Sequence, residues 1–506
     1  MKKATKVFYI ATVVAALFIV WGLIPRNVLP NGNLDHVTES IQSFLVDKFG
    51  WFYLLSATAF LAFSIFLIFS KYGKIKLGKP GDEPEYSYIT WFAMLFSAGM
   101  GIGLVFWGAA EPISHFHEPP YGDTETNGAA KTALQYSFFH WGLHPWGVYA
   151  TLALALAYFK FRKESPAVVS AVLEPLFGDN VKGPWGTFID FLVVFATIFG
   201  VATSLGLGAI QISGGLSYVF GWDQNILIQL IIILIVTVLY MTSAMTGLNK
   251  GIKYLSNLNI LLAVMLMVFV LFLGPTNFIM ELFTSTFGRY IQNLPGMSFR
   301  MTPFEESVWI ENWTIFYWAW WIAWAPFVGT FIARVSRGRT VREFVLGVLL
   351  VPTIFGALWF SVFGGSAINL EYFQGTDIFQ YVNDVGEEIA LFAMLEHIPL
   401  GTILSILAIL LICTFFITSA DSATFVLAMQ TTGGSLYPPN LIKFIWGLIQ
   451  SGAAAILLWQ GGLEALQTAS IIAAFPFAII MILIIFSLIK AFKTETKELE
   501  LKKKYR

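Results

Sequence analysis

The chain has 506 residues, 57% of them hydrophobic and only 12% charged, with a formal net charge of −1 and a mean hydropathy of +0.71. That leaves too little polar surface to cover a soluble globule of this length, so the composition excludes a water-soluble enzyme and gives no basis for a nucleic-acid partner. The chain needs lipid.

Apolar runs of roughly 20 residues, each long enough to cross a hydrocarbon core of about 30 Å as a helix, recur along nearly the whole sequence. Unbroken runs such as Ile226 to Tyr240 argue against a β-barrel, whose strands would alternate over about 10 residues. Met1 to Lys6 is basic, but the apolar stretch after it is too long for a secretory signal and lacks a small-residue cleavage site, so it reads as the first crossing. Twelve crossings are expected near 7–25, 51–70, 89–109, 134–159, 186–212, 224–246, 257–283, 312–333, 343–367, 399–430, 441–460 and 465–489. With both termini in the cytoplasm, only Arg26, Lys48, Lys131, Arg289 and Arg300 of the 30 Lys and Arg lie outside, as the positive-inside rule requires of a multi-pass protein of the cell membrane.

The outside connections, such as Glu111 to Glu125 and Glu371 to Glu396, are acidic and aromatic. The connection over 284–311 has room for a surface helix, since Phe283 to Ile291 is amphipathic. The tail from Lys490 to Arg506 carries seven basic residues and three glutamates, and belongs in water where lysines meet anionic lipid or simply mark the inner side. Cys413 is the sole cysteine, so no intrachain disulfide and no Cys/His metal cluster can form.

Four segments carry chemistry. In the third crossing, Gly99, Gly101 and Gly103 alternate within Ser97 to Gly103, a spacing that weakens a helix more than it grooves one face; it suits an unwound stretch with bare carbonyls, or close helix packing. In the fourth, Trp141, Pro145, Trp146 and Tyr149 share nearly one helical face. In the eighth, five tryptophans fall between Trp313 and Trp324 and run into Pro326 and Gly329. Indole faces attract a cation that cannot donate hydrogen bonds, at roughly 0.5–2 kcal/mol per contact, which fits a trimethylammonium group better than a primary ammonium. The tenth crossing holds Thr418, Ser419, Asp421, Ser422 and Thr424, costly in lipid unless the hydroxyls bond their own helix or line an ion path. Asp190 in the fifth crossing suits a structural role. His140 and His144 sit one turn apart with no carboxylate partner near in sequence. No phosphate-binding GxxxxGK[ST] loop and no nucleophile–base arrangement is present, which argues against ATP-driven transport and against an enzyme.

At these segments the sequence resembles the betaine/choline/carnitine transporter family, most of all the glycine betaine carriers of Gram-positive bacteria. The stretches are GMGIG at Gly99 to Gly103, WAWWIAWAPFVGTFIARVSRGRT at Trp318 to Thr340, and FFITSADSATF at Phe415 to Phe425. The resemblance implies an all-α polytopic membrane protein of twelve transmembrane helices with a leucine-transporter-like fold: two leading helices (1–88), two inverted five-helix repeats (89–283 and 312–489) joined through 284–311, and a short tail (490–506). It implies a homotrimer with alternating access, working in osmoprotection. By matched position, Trp141, Trp146, Tyr149 and Trp321 would form the aromatic box and Trp324 would lie on the exit path. Sodium would be held by Ser97, Met100, Phe415, Thr418 and Ser419. A second sodium would use Thr197 and Phe327, although Val201 stands where the family has a further hydroxyl. Glycine at 103, where proton-coupled relatives carry aspartate, favours sodium. The expected activity is sodium symport of a quaternary-ammonium solute, glycine betaine first, with no organic cofactor. Choline, carnitine or ectoine transport, a channel and a membrane-embedded binding protein are the alternatives.

Overall fold

The computed structural model describes residues 4–25, 27–99, 101–246, 249–305 and 307–504. Among them all regular secondary structure is helical, with one isolated β-bridge between Lys76 and Thr340. Helices close their own backbone hydrogen bonds, which a lipid solvent demands.

The helices α1 (Lys6–Gly22) and α2 (Leu34–Phe69) come first. Then α3 (Tyr88–Gly99) and α4 (Ile102–His117) are divided at Gly101, whose backbone is extended (φ −158°, ψ −179°). A second divided pair, α5 (Asn127–Trp141) and α6 (Leu143–Ala157), breaks at Gly142 (φ −98°, ψ −129°). Two short turns, α7 (Val169–Val172) and α8 (Glu174–Phe177), lead to α9 (Pro184–Phe220), where Pro184 is well placed because a first-turn N–H has no helical partner anyway. Asp190 there accepts the Ser170 amide (2.9 Å) and hydroxyl (2.7 Å), the structural role its sequence context suggested.

After α10 (Ile226–Thr246) comes α11 (Asn249–Leu273). The apolar run was expected to stay in one helix to 283, but α11 stops at Leu273 because Pro275 lacks an N–H and disfavours helix at the residue before it. The amphipathic Phe283–Ile291 lies inside α12 (Thr276–Ser298), which buries Ile279, Thr286 and Tyr290 and exposes Met280 and Ile291. A wider helical turn over Ile310–Ile315 enters α13 (Phe316–Val335), and Thr340 with Glu343 forms a capping box for α14 (Val341–Gln374). The chain ends with α15 (Ile378–Val385), α16 (Ala390–Glu396), α17 (Gly401–Gln430) and α18 (Asn440–Lys504). Gly461 and Gly462 carry non-helical angles inside α18, so it is two helices across a kink.

Eight helices among the described residues are long and apolar enough to cross a membrane. The halves of the divided pairs, at 12 to 16 residues, are too short singly. The tryptophan-rich Ile310–Val335 is innermost, with 78% of its most apolar stretch buried, against 33% for α10 and α11, whose remaining faces are apolar and suited to lipid. At the basic end, Leu77 joins the backbone of Gly338 and Arg339 across two loops (Leu77 N to Arg339 O and Gly338 N to Leu77 O, both 2.8 Å). The tail is less free than its composition implies. Glu495 is buried and takes hydrogen bonds from Tyr158 (2.6 Å) and Arg162 (2.7 Å), with Lys163 at 3.2 Å.

At the other end the chain turns at Gly386 (φ +141°) and buries Glu388 between α15 and α16. Burial, then the neighbouring Glu387 charge, pushes the Glu388 carboxyl up to about 7. Its folded pKa lies above its unfolded one, so the folded state keeps a proton that the unfolded chain has released between about pH 4.5 and 7, and stability falls as pH rises through that window. The thermal unfolding midpoint in detergent should therefore drop between about pH 4.5 and 7.5, by the equivalent of roughly 3 kcal/mol at most, and Glu388→Gln should flatten the profile.

Candidate solute and ion site

The break at Gly101 leaves the first amides of α4 without helical acceptors, and no side chain caps them. Gly101 and Gly103 line a small cavity with Trp141, Trp146, Tyr149, Trp321 and Trp324, so five aromatic residues chosen from sequence converge on the glycine break. Trp320, which sequence matching left out, lines it too. A Cβ at Gly103 would overlap the Trp320 ring and come within 3.2 Å of Trp141, so only glycine lets these two rings meet the backbone there.

The rings close on one another. Trp141 stands edge-on to Trp321 at 4.8 Å, Trp321 stacks on Trp320 at 4.7 Å, and Trp146 meets Tyr149 edge-on at 5.4 Å. The space between them is small, about 30 Å³. Two indoles are fixed by hydrogen bonds at their ring N–H: Trp321 Nε1 donates to His140 O (2.9 Å) and Trp141 Nε1 to Glu111 Oε2 (2.8 Å). The Tyr149 hydroxyl is buried without a partner.

Glu111 is the residue that sequence reasoning missed. Expected in an outside loop, it is fully buried in α4, and it supplies the carboxylate that His140 lacked in sequence. Its Oε1 lies 2.7 Å from His140 Nδ1 and 3.2 Å from His115 Nε2, while Oε2 accepts from Trp141 and from the Tyr317 hydroxyl (2.6 Å). His140 Nε2 reaches Thr314 Oγ1 at 3.0 Å. Four donors around one carboxylate satisfy a charge that would otherwise be very costly to bury. His144 takes no part, stacking on Trp318 at 5.0 Å.

A larger cavity of about 660 Å³ lies next to the first, with Trp324 in the wall of both. Ser97, Phe415, Thr418 and Ser419 line it together, beside Asp421, and it reaches Lys160, Arg334 and Lys443 at the basic end. Met100, the remaining expected ligand, lies outside the described residues. The Thr418 hydroxyl contacts the carbonyls of Thr414 (3.0 Å) and Phe415 (3.2 Å), so it bonds its own helix while facing the cavity. It also accepts from Asn259 Nδ2 (2.8 Å) on α11, whose buried Oδ1 has no partner. Asn259 was not picked out from sequence; only a polar residue in an apolar run could have flagged it. Of the second pair, Phe327 lines this cavity, whereas Thr197 is not among its lining residues and turns its hydroxyl to Val193 O (2.7 Å) and Gln430 (3.4 Å).

A model of the betaine/carnitine/choline family transporters matches residues 6–497. The chain belongs to that family. It is a multi-pass membrane transporter, not an enzyme. It is 54% identical over 503 residues to the glycine betaine transporter OpuD of Bacillus subtilis (strain 168), covering 99% of this chain and 96% of that protein. A probable glycine betaine transporter of Desulfitobacterium hafniense is 47% identical, with 98% of each chain covered. The ectoine/hydroxyectoine transporter of Virgibacillus pantothenticus is 46% identical over 506 residues, with 99% of each covered.

The close approach at Gly103 has a direct test. Gly103→Ala should push Trp320 and Trp141 apart, cutting solute affinity about tenfold or more while protein yield and helix content stay near normal. Unchanged binding in this variant would show that the rings need not meet at this glycine.

Proposed function

We propose that this transporter imports glycine betaine with sodium by alternating access. The carrying observation is the convergence of Trp141, Trp146, Tyr149 and Trp321 on the Gly101 break. Indole and phenol faces attract the trimethylammonium head, which has no hydrogen to donate. The opposite end of the solute is a carboxylate, and the uncapped N-terminus of α4 beside the rings offers amides and a positive dipole end to it. A relative of 54% identity is named as a glycine betaine transporter.

Sodium is a hard cation that wants oxygen. Ser97, Thr418 and Ser419 share one cavity with Phe415, and the unpartnered Asn259 Oδ1 beside Thr418 adds an oxygen the sequence did not reveal. These residues fit the ion, and Met100 would join them. Thr197 and Phe327 would hold a second ion only if Thr197 turned from Val193. The larger cavity reaches the basic end and far exceeds the space within the cage, which supports a state open toward the cytoplasm, with Trp324 on the exit path.

Twelve crossings follow if each divided pair counts as one, α1 as one and kinked α18 as two; both termini then face the cytoplasm. We extend this to two inverted five-helix repeats after two leading helices, to a homotrimer, and to contact of the basic tail with anionic lipid. Ectoine is the second candidate, because a 46% identical relative is named for it.

Uptake of labelled betaine into proteoliposomes tests the reading. An inward sodium gradient should drive accumulation, and Trp321→Ala should raise the half-saturating betaine concentration about tenfold, as loss of one or two cation–π contacts implies. Ser419→Ala should chiefly raise the sodium needed for half-activation. Uptake indifferent to sodium would overturn the symport, and a stronger response to ectoine would reassign the solute.

A further inference from the structure

Glu111, His115 and His140, all three fully buried, each bring one ligand atom within 4.8 Å of the other two. We propose that these three side chains form a binding site for a divalent transition metal of the Zn²⁺ class, and that its occupancy weakens the neighbouring aromatic cage for a cationic solute.

The geometry carries the first half. Glu111 and His115 stand four residues apart on α4 and so face the same way, and His140 approaches from α5. The Glu111 Oε1 atom is 3.2 Å from His115 Nε2 and 2.7 Å from His140 Nδ1. A tetrahedral ion with bonds of about 2.0–2.2 Å spaces its ligand atoms at about 3.3 Å, so small rotations admit one. Two imidazoles and one carboxylate suit Zn²⁺, Co²⁺ or Ni²⁺ rather than sodium or calcium, and three protein donors leave a fourth position for water.

Two of the three ligands have the outer partners that metal sites supply. His140 has Thr314 Oγ1 at 3.0 Å from its other nitrogen, and Glu111 has Trp141 and Tyr317 on its other oxygen. Loading the ion needs no redox step. Each neutral imidazole moves its N–H to the ring nitrogen away from Glu111, and both freed lone pairs then face the metal. On His140 the relocated N–H points at Thr314; on His115 it sits on Nδ1, which is buried without a partner.

The second half rests on the cage assigned above. Glu111 binds the cage residue Trp141 through Oε2, so a divalent ion on Oε1 cancels the negative charge behind that indole. Metal and cationic solute should then oppose each other reciprocally, each lowering the other's affinity by the same factor, about five- to tenfold.

The test uses the purified full-length transporter in detergent with Co²⁺ alone as probe. One equivalent should bind with a tetrahedral ligand-field absorption, Zn²⁺ should displace it, and His115→Asn or His140→Asn should abolish it. His397→Asn, at an exposed histidine, should leave it unchanged. X-ray absorption of the Zn²⁺-loaded wild-type chain should count two imidazoles and one carboxylate, which keeps the site testable if a variant fails to fold. No bound Co²⁺, or a spectrum that survives both substitutions, overturns the site. Betaine binding unaltered by Zn²⁺ overturns the coupling alone, and failure of sodium-driven uptake would leave the metal result standing.

Discussion

Trp320 and Trp141 can meet over Gly103 only because that residue has no Cβ to hold them off, and the rest of the proposed binding region depends on this approach. The same alternation of glycines that admits the rings ends α3 and starts α4, so unpaired amides and aromatic faces come to one place. Backbone irregularity at membrane depth is tolerated only where protein or a cavity covers it. Here α13 provides the cover, with every residue from Phe316 to Pro326 buried.

A carboxylate this deep needs its own account. Glu111 ties α4 to α5 through His140 and Trp141 and to α13 through Tyr317, so it fixes the three elements that supply most of the cage. Its four donors compensate the loss of water. A negative charge hydrogen-bonded to the Trp141 N–H also raises electron density in that ring, which strengthens the face that a cation would meet. Packing, hydrogen bonding and the proposed solute recognition thus meet in the same few side chains.

Much of this was legible in the sequence because it is local. The alternating glycines, the pairing of Trp146 with Tyr149, and the hydroxyls at Thr418 and Ser419 each declare themselves within one turn or two, whereas the single helical face expected to include Trp141 is broken at Gly142, which leaves Trp141 on α5. The end of α11 was missed because the apolar run continues past Pro275, and hydropathy does not register a lost N–H. Glu111 was placed in a loop because a charge before a polar stretch reads as an end of a crossing. His115 follows one helical turn later, but the other partners of Glu111 lie 29, 30 and 206 residues away, a separation at which no spacing rule operates. Asn259 meets Thr418 across 159 residues in the same way. The lone Trp320 indole gave the converse problem: a run of five tryptophans cannot say which rings face inward until α13 is placed against α6.

The central claim is that π faces recognise positive charge, and an isosteric pair tests it without altering the protein. Replacing the quaternary nitrogen of glycine betaine by carbon gives 3,3-dimethylbutanoate, which has nearly the same shape and carboxylate but no cationic head. Tryptophan fluorescence titrations at saturating sodium should show betaine binding at least about tenfold tighter, the difference that two or three desolvated cation–π contacts imply. Equal affinity for the two would mean that the pocket reads shape and carboxylate alone, and would contradict the account.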